Sequence, residues 1–200
     1  MTELEAMLLI KAAGRVAPDI SYLLNTVTML APRTVALFGS ETAERRYLPP
    51  VLDREERLAI AAECIGLGEA AIAAGVEYAN DREVFDRLIG RNQAIQHPLA
   101  EAFAHAMAAK QVVYGATELI HDADRTMVGV QANTAKFLAA ESAFEAADVA
   151  VQAHGGFGVA REYDVERYMR EARLTRLVPI TQELALNYLG TKALGLPRSY

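Results

Sequence analysis

The chain has one cysteine, no tryptophan and almost no segment with the alternating pattern of a β-strand. Cys64 has no partner for an internal disulfide, which indicates a reducing, cytoplasmic setting. The formal net charge of the 200 residues is −6, and the 20 basic residues are scattered along the sequence. Proteins that bind nucleic acid neutralise phosphates with clustered lysine and arginine, so this composition argues against that class.

Long uninterrupted hydrophobic runs are also missing. The N-terminus does not combine the charged, apolar and cleavage-site regions of a signal peptide. The most apolar stretch, residues 58–79, contains Glu63, Glu69 and Glu77. We therefore expect neither secretion nor a membrane span.

Helix-forming residues dominate what is present. Hydrophobic residues make up 52% of the chain, enough for one sizeable core, and alanine, leucine, methionine and glutamate are abundant. In the N-terminal part the predicted helices are 2–13, 17–30, 32–39 and 41–47. The pair Pro49-Pro50 is predicted to end the last of these.

The remainder of the chain predicts a helical bundle. Asp53 and Glu56 have the spacing of a capping box, which predicts that a long helix begins there and runs to about Tyr78. An apolar stripe at every fourth residue predicts the next helix. The further predicted helices are 91–121, 126–153, 163–172 and 180–193. The fold class is therefore predicted as all-α, with an antiparallel four-helix bundle over 51–200 preceded by a short helical segment over 1–50.

A glycine-rich break, Gln152-Ala153-His154-Gly155-Gly156-Phe157-Gly158, interrupts the helical pattern. Glycine in a helix costs about 0.5–1 kcal/mol relative to alanine, so the break ends a helix. One interpretation is a simple stop between two helices. The other is that the backbone here approaches something flat or charged.

Together with Arg170-Glu171-Ala172-Arg173, this break resembles the C-terminal segment of the flavin-dependent acyl-CoA dehydrogenase family. The resemblance implies that Gln152, Gly155 and Gly156 lie against the FAD of a neighbouring subunit.

A second stretch, Arg82-Glu83-Val84-Phe85-Asp86-Arg87-Leu88-Ile89 followed by Gln93-Ala94-Ile95-Gln96, is similar to the same family. The resemblance implies that Arg82 faces the FAD pyrophosphate, that Phe85 packs against the adenosine part and that Gln93 is a polar anchor. Asp86 replaces the family's usual glycine.

Residues 36–50 resemble the end of the family's N-terminal helical domain, and Met1 corresponds to a point inside one of that domain's middle helices. In the family a β-rich middle domain follows before the C-terminal bundle begins. Here only five residues separate Pro50 from Glu56. The resemblance therefore covers most of this chain but only about half of the family's architecture.

The family uses a glutamate as the base that removes the substrate's α proton. At its commonest position, after the Arg-Asp-Ala-Arg pattern, this chain has Pro179, which has no proton chemistry to offer. A minority branch has the glutamate in a Glu-Arg-Leu context at the start of the bundle, which implies Glu56 as base and Arg57 as its charge partner beside the substrate. The same residues also fit a solvated helix start, and Glu183 is a further substitute.

Two functions follow from the resemblance. The first is FAD-dependent α,β-dehydrogenation of an acyl-CoA thioester by a homo-oligomer, a dimer or tetramer, or with a family partner chain. The second is a non-catalytic helical subunit, or a shortened or engineered member, that keeps the oligomer interface. The four histidines show no metal-ligand spacing, so no metal is expected.

Overall fold

The computed structural model describes residues 3–16, 41–120 and 124–199, with the side chains of 3, 4, 6 and 41–56 left out of the description. In these ranges there are six α-helices: α1 (Glu3–Val16), α2 (Glu41–Asp81), α3 (Gln93–Glu118), α4 (Arg125–His154), α5 (Val165–Thr175) and α6 (Gln182–Lys192). The predicted all-α class is confirmed. The predicted helices 17–30 and 32–39 lie outside the described residues.

A short hairpin and two 3-10 turns connect the helices at one end of the molecule. The hairpin strands are β1 (Glu83–Val84) and β2 (Arg87–Leu88), and the 3-10 turns are Ile89–Arg91 and Gly155–Val159. Sequence patterning did not predict the hairpin, because strands of two residues are too short to show alternation.

Helices α2 and α4 run in the same direction and pack through small residues. Gly68 lies against Ala143 and, seven residues later, Gly75 lies against Ala150. Alanines recur on the facing side of α4 at helical spacing and are fully buried. Side chains this small let two helix backbones approach closely along their whole contact.

The other helices run antiparallel to this pair. On α3, Lys110 contacts Glu69 of α2, whereas Leu99 lies beside Gly75. On α6, Gln182 bonds to Lys136 of α4 while Tyr188 lies against Gly129. The antiparallel bundle predicted over 51–200 is therefore formed around α4, and α1 packs across α2 through the buried Met7 and Ile10.

The predicted helix end at Pro49-Pro50 is wrong, as is the predicted helix start at Asp53. Helix α2 continues from Glu41 to Asp81 through all of these residues. Proline's fixed φ near −65° is compatible with a helix, so the pair can be accommodated, although each proline removes a backbone donor and crowds the carbonyl four residues earlier. The predicted domain boundary between residues 50 and 51 falls inside α2 and stays a prediction.

Among the described residues, one part of α2, Arg57–Asp81, is long and apolar enough to cross a membrane, with a mean hydropathy of 1.6. Its most apolar window is 78% buried inside the protein. Burial against α1, α3 and α4 accounts for the apolar composition, as in any central core helix.

Candidate functional site

Three helix ends meet at one end of the bundle, which we call the hairpin end (residues 78–93 and 152–163). The C-terminus of α2, the N-terminus of α3 and the C-terminus of α4 converge there because α3 runs opposite to the other two. The hairpin end contains all the residues that the resemblance assigned to cofactor binding: Arg82, Phe85, Gln93, Gln152, Gly155 and Gly156.

Aromatic side chains form the wall of a cleft of about 710 Å³ at the hairpin end. The rings of Tyr78 and His154 are stacked with centroids 4.1 Å apart. Tyr163 meets both of them edge-on, at 5.7 and 5.3 Å. The guanidinium carbon of Arg82 lies 5.8 Å from the ring centre of Phe157. Arg82 is thus held over an aromatic face at the rim of the cleft.

His154 is 5% exposed and belongs to the wall of this cleft. Its Nδ1–H donates to the carbonyl oxygen of Ala150 at 2.8 Å. Sequence reasoning noted His154 only for its place in the glycine-rich break, and it missed Tyr78 and Tyr163. Each comes from a different element, so no local spacing indicated the cluster.

The three positions of the break differ in whether the structure requires a glycine there. Gly155 ends α4 with a φ of +58°, a conformation that other residues rarely adopt. At Gly158 an added Cβ would overlap the carbonyl of Val151. Gly156 has neither reason, since its φ is not positive and an added Cβ would meet nothing within 4 Å. The simple helix stop therefore explains Gly155 and Gly158 but not Gly156.

Phe85 is 93% exposed at the tip of the hairpin. Phe85 and Asp86 have φ values of 54° and 58°, the pattern of a type I′ turn. Asp tolerates this conformation, which explains how it replaces a glycine, but a bulky residue such as Phe rarely adopts it. A phenylalanine held in a costly conformation and exposed to solvent indicates that its contacts lie outside the chain.

Arg57 lies far from the hairpin end. It is 25 residues before Arg82, which directly follows the last residue of α2, so the two are separated by about 37 Å at 1.5 Å per residue. Its Nε donates to Oδ1 of Asn133 on α4 at 3.2 Å. Glu56 precedes it, and its side chain lies outside the description. The residues assigned to base chemistry and those assigned to the cofactor therefore do not form one site within a single chain.

A buried polar network lies one helical turn from Asn133. Lys136 is fully buried, and its Nζ donates to Oε1 of Gln182 at 2.9 Å. The Gln182 amide in turn donates to Glu141 at 2.8 Å and to the carbonyl of Phe137 at 3.2 Å. This network fixes the start of α6, and with it the turn that contains Pro179, against the stretch of α4 that Arg57 also contacts. Arg57, which follows Glu56, and Gln182, which lies three residues after Pro179, thus both bond to the stretch of α4 from Asn133 to Glu141.

We expect this core to give a characteristic pH dependence of the free energy of unfolding. Burial lowers the pKa of Lys136 from 10.5 to about 8 and raises the pKa of Cys64 from 9.0 to about 12. Between pH 8 and 10.5 the unfolded lysine holds a proton that the folded one has released, so stability rises with pH. Between pH 9 and 12 the folded cysteine keeps a proton that the unfolded one has lost, so stability falls. Each slope reaches at most about 1.4 kcal/mol per pH unit.

Chemical denaturation of the wild type, Lys136→Met and Cys64→Ala at several pH values separates the two contributions. Relative to the wild type, Lys136→Met is expected to lose the rise between pH 8 and 9, and Cys64→Ala the fall above pH 10.5. Parallel pH profiles for all three proteins would contradict the prediction.

Comparison with known proteins agrees with this architecture. Residues 54–193 match the family described as Acyl-CoA dehydrogenase, C-terminal domain. Acyl-CoA dehydrogenase FadE12 of Mycobacterium tuberculosis (strain ATCC 25618 / H37Rv) is 39% identical over 165 residues, 82% of this chain and 42% of the relative. An acyl-CoA dehydrogenase of Bacillus subtilis (strain 168) is 38% identical over 139 residues, 70% of this chain and 36% of the relative.

Among solved structures, butyryl-CoA dehydrogenase from Megasphaera elsdenii superposes with a TM-score of 0.69 and 32% identity, covering 74% of this chain and 38% of that one. The chain belongs to the acyl-CoA dehydrogenase family, and its bundle is the family's helical C-terminal domain. It spans about two-fifths of the length of the relatives that it matches.

Proposed function

We propose that this chain takes part in FAD-dependent α,β-dehydrogenation of an acyl-CoA thioester, in a homo-oligomer whose flavin sites are shared between subunits. Gly156 is the observation that carries the proposal. Nothing in the described part of the chain requires a glycine there. A flat cofactor lying against the backbone would require one, because a side chain would occupy its place. The exposed Phe85 and the rim position of Arg82 support the same placement.

The separation along α2 supports a shared site. Residues assigned to the cofactor lie at the hairpin end, and Glu56 and Arg57 lie about 37 Å away. One chain cannot bring both to one flavin, but a neighbouring copy can supply the hairpin end. In this arrangement the activity depends on the formation of a dimer or tetramer.

Each group has a defined role in the proposed site. Arg82 would neutralise pyrophosphate charge, and Phe85 would pack on the adenosine part. Gln93 and Gln152, both exposed at the hairpin end, would donate or accept hydrogen bonds. Glu56 would take the α proton from the thioester with Arg57 stabilising its charge. When bound, FAD supplies the hydride acceptor.

The family alone does not set the direction of the reaction. Relatives include a 3-(aryl)acrylate reductase from Clostridium sporogenes, 36% identical over 64% of this chain. Fully buried Cys64 fits the cytoplasmic, reducing setting that we propose for the reaction.

The proposal is tested with purified protein reconstituted with FAD. We expect an absorbance band near 450 nm that bleaches when a saturated acyl-CoA is added. Gly156→Leu is expected to weaken FAD binding at least tenfold without changing the melting temperature, because its side chain occupies only the space left for the cofactor. Gly115→Leu is the matched control, since an added Cβ there also meets nothing within 4 Å but lies far from the hairpin end.

A non-catalytic partner subunit is the second candidate. Pro179 at the family's commonest base position and the five residues between Pro50 and Glu56 favour it. Protein that oligomerises but stays colourless with FAD would establish this candidate and remove the first.

A further inference from the structure

We infer that the groove between α2 and α3 binds a free fatty acid, with its carboxylate at a cationic cluster of Lys11, Arg15 and Lys110. We call this surface the amphiphile groove. It joins two clefts of about 580 and 340 Å³ that share Ile72, Val76 and Phe103 as lining residues. It lies outside the residues assigned to the cofactor and the base, so it goes beyond the proposed function.

Among the described residues, more cations than carboxylates line the cationic end of the groove. Lys11 and Lys110 both bond to one oxygen of Glu69 at 3.0 Å, and Arg15 lines the same cleft. Three of the described residues that line this cleft are therefore cations and one is a carboxylate, although Arg15 also lines the hairpin-end cleft, where Glu77 is among the lining residues. The two lysines hold the pKa of Glu69 below its usual value, and Glu69 raises that of Lys110, so the cluster stays charged near neutral pH.

The lysine ammonium groups are positioned rather than mobile. Their side chains are only 16% and 27% exposed, and the Lys11 Nζ also donates to the Tyr114 hydroxyl at 3.5 Å. An ammonium group has three donors, so each lysine keeps hydrogen-bonding capacity beyond Glu69. A ligand carboxylate can therefore join a preformed cluster at little cost in side-chain entropy.

The rest of the groove is apolar. Val76 and Phe103 remain 41% and 54% exposed, and Ile72 and Leu99 form the floor. From Glu69 to Asn80 the groove follows α2 for about 16 Å, which matches an extended dodecanoate chain. A charged head at one end and an unfilled apolar channel leading from it are complementary to an anionic amphiphile, not to a compact anion or a neutral lipid.

Calorimetric titration of the whole protein with dodecanoate, below its critical micelle concentration and without flavin, tests this inference. We expect saturable binding of one dodecanoate per chain, at least tenfold tighter than binding of dodecan-1-ol or of acetate. If dodecan-1-ol bound as tightly as dodecanoate, the cationic cluster would have no role in binding. If acetate bound as tightly as dodecanoate, the apolar channel would have no role.

Two variants probe the two ends separately. Lys110→Gln and Phe103→Ser are each expected to weaken dodecanoate binding about tenfold. Lys192→Gln and Leu194→Ser, outside the groove, are matched controls and should bind as the wild type does. If Phe103→Ser instead converts an oligomer to a monomer and the wild type binds no dodecanoate, the groove is an interface between copies and the inference fails. Because no flavin is needed, this result is independent of whether the proposed dehydrogenation occurs.

Discussion

Substitution of Glu56 by glutamine is expected to leave FAD bound and to slow its bleaching by acyl-CoA about a thousandfold, the usual effect of losing a general base. The amide keeps the size and hydrogen-bonding ability of the carboxylate but cannot accept the α proton. Stopped-flow absorbance at 450 nm measures the bleaching rate, and the flavin spectrum before mixing confirms binding. Unchanged bleaching would remove Glu56 from the role of base.

Glu55→Gln and Glu183→Gln are the controls for this experiment. Glu55 is adjacent to Glu56 in α2, so Glu55→Gln removes the same amount of charge from the same helix. Glu183 is exposed at the start of α6, where backbone N–H and the Thr181 hydroxyl lower its pKa. A carboxylate with a lowered pKa is a weaker base, so we expect little effect from Glu183→Gln. A large loss in Glu183→Gln alone would assign the proton transfer to α6.

Replacing Gly66 by alanine is expected to lower the free energy of unfolding by about 3 kcal/mol. The added Cβ would overlap the carbonyl oxygen of Lys11 and lie 3.0 Å from the amide nitrogen of Arg15. Both are backbone atoms of α1, so no side-chain rotation relieves the clash. Helix α1 must move away from α2, which uncovers Met7 and Ile10. Denaturant titration measures the loss, and amide exchange in α1 reports the displacement.

Gly115→Ala is the matched control in α3. Its added Cβ meets nothing within 4 Å, so only the helical preference of alanine acts, and stability should rise by about 1 kcal/mol. A Gly66→Ala protein as stable as Gly115→Ala would show that α1 does not pack closely on α2. Dodecanoate binding should also weaken in Gly66→Ala, because Lys11 moves with α1.

The helices of the bundle were predictable because their signals are local. The stripe of apolar residues in α3 depends only on neighbours within a turn or two. The structure adds an equally local cap at the start of α4, where Oδ1 of Asp124 accepts from Thr126 and Met127 at 3.0 Å. The course of α2 through Pro49-Pro50 was not predictable in the same way. Local preference there favours an end, because each proline removes a helical hydrogen bond and crowds the carbonyl four residues earlier, and only the structure shows that the helix continues.

The candidate site was likewise predictable only in part from the sequence. The motifs around Arg82 and Gly155 could be identified from the sequence because they are contiguous. The stack of Tyr78, His154 and Tyr163 could not, since these side chains come from α2, α4 and the segment after the break. The amphiphile groove likewise combines α1, α2 and α3, and its cationic cluster forms only once Lys11 and Lys110 meet at Glu69.

The sequence by itself determined the all-α class, the family and the residues assigned to cofactor and base, because helical periodicity and contiguous motifs are properties of neighbouring residues. Only the tertiary structure decided which of these residues meet. The parallel packing of α2 and α4 through glycine and alanine gathers the cofactor residues at one end, while the length of α2 keeps Glu56 and Arg57 about 37 Å away. A rigid helix of that length cannot fold back on itself, so one chain cannot bring the two groups of residues together, and this separation is set by backbone geometry and not by any local pattern.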